Sequence, residues 1–120
     1  MYLSNDELTI VFNGDHYKSK QTYGLAQSNY GRVNAQDITK ARVSSSLFCL
    51  LLAKCGFSAK QLINKADTYY QNELRDHDYS DENWFYILKH HPEIFVNPLV
   101  YYKDHGIICS TPTDVLRLSS

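Results

Sequence analysis

The stretch Leu8 to Lys20, LTIVFNGDHYKSK, limits what this chain can fold into more than any other. Leu8, Ile10 and Phe12 alternate with Thr9 and Val11, the period of a β-strand. Asn13-Gly14 then breaks the run, because both residues favour tight turns. A helix is expected to begin at Asp15 or His16, with Asp15 as its N-cap. A strand that turns into a helix N-terminus leaves unpaired backbone N–H groups facing the turn. Whatever occupies that turn is a candidate functional group, and here it is His16, flanked by Asp15 and Tyr17.

The rest of the chain supplies partners for that strand. Residues 16–29 fit a first helix with Tyr23, Leu25 and Ala26 on its buried face, ended by Asn29-Tyr30-Gly31. Residues 32–38 read as a short second strand with Val33, Ala35 and Ile38 facing in. Ser44 to Ser46 cap LFCLLLAKC, apolar nearly all round and therefore a buried helix, with Gly56 as its C-terminal stop. SAKQLINKA (58–66) is a further short helix, and 67–75 is either helical or irregular. Ser80-Asp81-Glu82 opens a well-marked helix with Trp84, Phe85, Ile87 and Leu88 at helical spacing, closed by Pro92. LVYY (99–102) and GIIC (106–109) form a hairpin through Lys103 to Gly106, and Thr111-Pro112-Thr113 starts a last short helix, DVLRL. The order β-α-β, helical block, hairpin, helix predicts an α/β fold with a mixed four-stranded sheet in one domain spanning 1–120.

Composition narrows the function classes. The net charge is -1 with no basic tract, which makes nucleic acid a poor partner. No apolar run approaches the roughly 20 residues of a bilayer span, and MYLSNDEL lacks the pattern of a signal peptide. A cytoplasmic protein with no membrane partner is expected. The three cysteines, Cys49, Cys55 and Cys109, contain no C-x-x-C pair. Cys49 and Cys55 fall about 9 Å apart along one helix, too far for a disulfide. Ten tyrosines, several in pairs, fit half-buried surfaces.

The stretch from Ser80, SDENWFYILKHHPEIFVNPLVYYKDHGIICSTPTDVLRL, resembles the C-terminal signature of the arsenate reductase and Spx family. His91-Pro92, Ile94, Asn97-Pro98, Leu99-Val100, Gly106-Ile107-Ile108 and Pro112 fall in that family's order. Leu8 to Asn13 resembles its first strand, and Leu51 to Gly56 with Ser58 to Leu62 its middle helices. The resemblance implies a thioredoxin-like fold with a helical insertion. It also implies that Pro98 is a cis-proline facing the active site.

The departures from the family pattern concern chemistry. Its arsenate reductases carry Asn-Pro-x-Cys after the first strand, where this chain has Asn13-Gly14-Asp15-His16, so His16 takes the place of the nucleophile. Of the three arginines that hold the oxyanion, one falls at Asn64, one at Asn97 and one at Thr111. Asp15 adds negative charge where an oxyanion would dock. The resemblance thus implies a scaffold without its catalytic thiol or cationic ligands. It fits a non-catalytic binding or regulatory protein whose partner is another protein and which needs no cofactor. The alternative is an oxidoreductase linked to glutathione or glutaredoxin, with Cys109 as a substitute thiol. A weaker third reading is a small ligand in the emptied pocket, where Tyr17, Asn64, Asn97 and Thr111 give a neutral polar lining; the candidate binding residues as a whole are these four with Asn13, Asp15, His16 and Pro98.

Each candidate has a simpler explanation. His16, at a helix N-terminus, should be neutral at pH 7, and is otherwise merely tolerated once the cysteine is gone. Asp15-His16 and Asp76-His77-Asp78 contain metal-ligand types without metal-ligand spacing and read as solvated loops. Lys18 and Lys20 offer weak attraction for an anion or simply a solvated helix face. The cysteines read as small hydrophobes.

Overall fold

The computed structural model describes residues 6–119, the side chain of Ser119 excepted. Four strands, β1 (Leu8–Phe12), β2 (Val33–Asp37), β3 (Leu99–Tyr102) and β4 (His105–Ile108), form one sheet in the order β2-β1-β3-β4. β1 pairs with β2 in parallel, and β1–β3 and β3–β4 are antiparallel. The helices are α1 (Tyr17–Asn29), α2 (Ser45–Cys55) and α3 (Asp81–His90). Short 3₁₀ segments at Ala59–Leu62, Pro92–Ile94 and Pro112–Ser119 and a π-type turn at Tyr70–Leu74 complete the chain. No helix among the described residues is long and apolar enough to cross a membrane.

β1 is the hinge of the packing. All five of its residues are buried, because it is a central strand with a layer on each face. The period-2 alternation divides them between two cores. Leu8, Ile10 and Phe12 join Val100, Ala26, Tyr30, Cys109 and Val115 beneath α1 and the C-terminal segment. Val11 joins Leu99, Tyr101 and the apolar faces of α2 and α3 on the other side.

Most helix ends are chemically specified. Ser44 Oγ accepts from Leu47 N at 3.1 Å, and Gly56 closes α2 in the left-handed conformation at φ 72°. Ser80 Oγ accepts from Asn83 N, with Asp81 and Glu82 in the first turn of α3. Ser58 and Gln61 make a reciprocal capping box.

Several expectations need correction. The N-cap of α1 is His16 rather than Asp15, and it makes no side-chain cap. The Asp15 N–H is drawn back to Asn13 Oδ1 at 2.9 Å, which moves the helix start one residue on. α1 buries Ser19 and Thr22 beside Ala26, small polar residues that a hydrophobic count passes over. Ala35 is exposed, because β2 is an edge strand. Only Ala59–Leu62 of the 58–66 stretch is helical, since Ile63 instead bridges to Phe95. The hairpin turns on two residues, not four: Lys103 and Asp104 both have positive φ (50° and 66°), as a tight hairpin matching strand twist requires. β4 therefore starts at His105, one residue early. The described residues contain no cis peptide, so the Asn97–Pro98 bond is trans, the default isomer of an X–Pro bond.

Candidate functional site

The loop that follows β1 is held from two sides. Asn13 is buried, and its side-chain amide donates to Pro92 O at 2.6 Å while its Oδ1 accepts from Asp15 N. Across the sheet, the parallel register sets Phe12 beside Asp37. Asp37 Oδ1 accepts from Gly14 N at 2.9 Å and from the N–H and hydroxyl of Thr39 at 3.0 and 2.7 Å. A side chain at position 14 would collide with that carboxylate: a Cβ there would lie 2.6 Å from Asp37 Cγ. Glycine is required by the close approach. Sequence reading passed over Asp37, whose signal is its place at the C-terminal end of the neighbouring parallel strand.

His16 follows this clamp, with its backbone N–H on Asn13 O at 3.1 Å. Its Nδ1 is buried and has no hydrogen-bond partner among the described residues, and the hydroxyl of Ser19 is in the same state. Desolvation, with the Lys18 ammonium as a second cause, holds the His16 pKa below its ordinary value. Burial and a neighbouring cation thus act in the same direction as the expected neutrality.

Lys18 is the cation of the site. Its Nζ donates to Asn97 Oδ1 at 2.8 Å, and Asn97 in turn donates through Nδ2 to Gln61 O at 3.4 Å and through its backbone N–H to Leu62 O at 3.0 Å. Pro98 is buried, and its carbonyl accepts from Cys109 N at 2.9 Å. Cys109 is fully buried, just past β4. Burial, aided by Asp114 and opposed by Arg117 and Lys18, pushes its thiol up to about 12. Nucleophilic cysteines need access and a depressed pKa, and Cys109 has neither.

The remaining candidates make their hydrogen bonds elsewhere or are simply exposed. Tyr17 is 74% exposed, and its hydroxyl accepts from Gln21 Nε2. Asn64 is exposed and uses Oδ1 to accept from Ala66 N at 3.1 Å. Thr111 is exposed, and its N–H donates to Asp114 Oδ2 at 3.1 Å. Asp15 is exposed at the loop. Among the described residues no hydrogen bond or ion pair joins Tyr17, Asn64 or Thr111 to Asn97. The structure thus ties Lys18 to Asn97 and sets His16 and Cys109 within its electrostatic reach, while Asn13 is held by Pro92. A cleft of about 600 Å³ lies further along α1, lined by Gln21, Gly24, Leu25, Ser28, Pro112 and Thr113, and shares none of these residues. Among the described residues no three of His, Cys, Asp and Glu converge as a metal ion would need.

No protein-family profile matches the sequence, and no curated protein matches it. Solved structures do match. An arsenate reductase from Vibrio cholerae superposes with TM-score 0.69 at 19% identity, covering 96% of this chain and 99% of that one. A protein of Yersinia pestis assigned provisionally to the arsenate reductases gives TM-score 0.64 at 24% identity, over 92% of this chain and 98% of that one. A possible arsenate reductase from Streptococcus mutans gives TM-score 0.60 at 19% identity, over 92% and 97%. Over nearly its whole length, the chain has the arsenate reductase-like form of the thioredoxin fold.

Proposed function

We propose that this protein uses an arsenate reductase-like scaffold for binding or regulation and does not turn over arsenate. The observation that carries the reading is the composition of the clamped loop, Asn13-Gly14-Asp15-His16, which holds an imidazole and an exposed carboxylate but no thiol. A neutral histidine cannot form an arsenic–sulfur bond or a mixed disulfide. The three thiols elsewhere do not replace it. Burial raises the pKa of Cys49 and of Cys55 on α2, and Asp81 and Glu82 raise that of Cys49 further. Cys109 is sealed in the core. Oxyanions are held by cations or by convergent N–H donors. Asn64, Asn97 and Thr111 are neutral, and Lys18 is bound to Asn97. A partner protein is the expected ligand of such a scaffold. Glutathione or glutaredoxin enters only if a thiol proves active.

The test is arsenate reduction by the purified protein with glutathione and glutaredoxin, beside His16→Cys and Cys109→Ser variants. No turnover above the enzyme-free blank is expected from the wild type. His16→Cys should gain a titratable loop thiol and still fail, because the cationic ligands remain absent. Wild-type turnover that disappears in Cys109→Ser would overturn the proposal in favour of a relocated thiol.

A further inference from the structure

We infer that His16 Nδ1 and the hydroxyl of Ser19 hold one buried water between them, and that Ser19 is thereby a positioning residue that fixes His16 as a hydrogen-bond donor through Nε2. The loop then meets a ligand with an N–H rather than with a base. That this donor serves binding rests on the proposed function; the water site and the tautomer do not.

The helix start brings the two groups together. His16 is the N-cap of α1, and Ser19 is the third residue of the helix. An N-cap side chain lies over the N–H groups of the second and third residues, Lys18 and Ser19 here. His16 makes no such cap. Among the described residues no hydrogen bond takes the N–H of Tyr17, Lys18 or Ser19. These donors belong to the first turn, which has no acceptor within the helix.

Two side-chain polar atoms in this turn are sealed from solvent without a partner, His16 Nδ1 and Ser19 Oγ. Ser19 as a whole is 0% exposed. The buried polar side chains beside them are satisfied: Thr22 donates to Lys18 O, and Asn13 donates to Pro92 O. His16 Nδ1 and Ser19 Oγ do not bond each other. Buried polar atoms are costly to leave unpaired, and an internal water with about three partners is the usual remedy. One water here has Nδ1, the Ser19 hydroxyl and a first-turn N–H. A neutral molecule suits the place better than an anion. The cation beside the turn, Lys18, is bound to Asn97 Oδ1, and the Asp15 carboxylate is exposed on the same loop.

The donors decide how the water is turned. The Ser19 O–H and the first-turn N–H both donate to its oxygen. Its own hydrogen then needs an acceptor, and Nδ1 supplies one only when unprotonated. The proton of the neutral imidazole is therefore on Nε2. Nε2 is not sealed, since His16 is only half-buried, so this N–H reaches the surface. Protonating Nδ1 would press a third donor on a water whose lone pairs are taken. That disfavours the charged imidazole in the same direction as burial and Lys18 do.

The test is histidine-selective nitrogen NMR of the full chain, wild type beside Ser19→Ala. In the neutral wild type, His16 Nδ1 should resonate as an unprotonated acceptor and Nε2 as protonated, and the Ser19 amide should show a contact to a bound water. The Nε2–H form is also the commoner one in free imidazole, so the variant carries the decision. Alanine is smaller than serine and a better helix former, and circular dichroism checks that the variant is folded. Loss of the hydroxyl should raise the proton affinity of His16 about three- to tenfold, the worth of one ordinary hydrogen bond. Mere removal of a polar neighbour would act the other way, because poorer solvation disfavours the cation. The rise should persist in high salt, where the influence of a nearby charge such as Lys18 fades. An unchanged or lowered proton affinity in Ser19→Ala, a protonated Nδ1 in the neutral wild type, or no bound-water contact at Ser19 would overturn the inference. None of these readouts involves arsenate, so the inference and the proposed function can fail separately.

Discussion

Replacing Gly14 with alanine should destabilise the protein, but should add no further loss in a chain that already carries Asp37→Ala. The new methyl would fall on Asp37 Oδ2, 2.6 Å from Cγ and 2.9 Å from Oδ1. That carboxylate is not free to swing. It accepts from Gly14 N, Thr39 N and Thr39 Oγ1 at 2.9, 3.0 and 2.7 Å. Moving it breaks these bonds, each worth about 0.5–1.5 kcal/mol net. Gly14 lies outside the left-handed region, so alanine there returns about 0.4–1 kcal/mol through the unfolded chain. The balance is a loss of about 1–3 kcal/mol. Asp37→Ala alone removes the same bonds, and the double variant loses them only once. The double-mutant cycle should therefore show a coupling of about 1–3 kcal/mol. Urea unfolding followed by circular dichroism at pH 7 measures this, with an unchanged m-value as the check on two-state behaviour. A Gly14→Ala variant as stable as the wild type, or two losses that add in full, would refute the clamp.

The other predictions concern titration and access. The imidazole of His16, followed by NMR, should titrate below the ordinary histidine value of 6.5 and move partway back in Lys18→Met, because desolvation remains. Its lowered folded-state pKa means that the unfolded chain takes up the proton first, so its contribution to stability is lost as pH falls below 6.5. Cys109 should resist alkylation in the native protein while Cys49 and Cys55 react, and all three should react alike in denaturant. At alkaline pH the sign reverses. Burial holds the Cys109 thiol at about 12, and burial with the hydrogen bond to Asp104 holds the Tyr101 phenol at about 12. The folded protein thus keeps protons that the unfolded chain releases from pH 9 upward. Stability should fall between pH 9 and 12, and Cys109→Ala should flatten the start of that fall. A pH-independent unfolding midpoint across this range would contradict the burial of both groups.

Much of the fold was legible because its signals are local. Period-2 apolar residues in β1, serine caps on α2 and α3, and Gly56 each encode their own element. What escaped depends on partners distant in sequence. Ala35 looks like a core residue until β2 is known to be an edge. Ser19 and Thr22 look like surface residues until α1 is packed against the sheet, where Thr22 satisfies its hydroxyl on Lys18 O at 2.9 Å. The candidate loop could be located from Asn13-Gly14. Its clamps could not, since Asn13 reaches Pro92 across 79 residues and Gly14 reaches Asp37 across 23. That His16, Asn97, Pro98 and Cys109 share one site was suggested only by family resemblance, and the bond from Lys18 to Asn97, across 79 residues, had no local signal. The hydrogen bonds that Tyr17, Asn64 and Thr111 make within their own turn or helix were not readable either.

The same long reach sets an order of events during synthesis. β1 is the first strand made, and β2 joins it after one helix. Its other edge, however, must wait for Thr9, Ile10 and Val11 to meet Tyr101, Val100 and Leu99. At roughly 5–20 residues per second, the ribosome leaves that apolar edge without its mate for about 5–20 s. The candidate loop matures on the same schedule, since Pro92 must emerge before Asn13 can be tied down. A nascent chain stalled before residue 92 therefore carries both an open sticky strand and an unformed site. One late segment, residues 92–101, closes the two together.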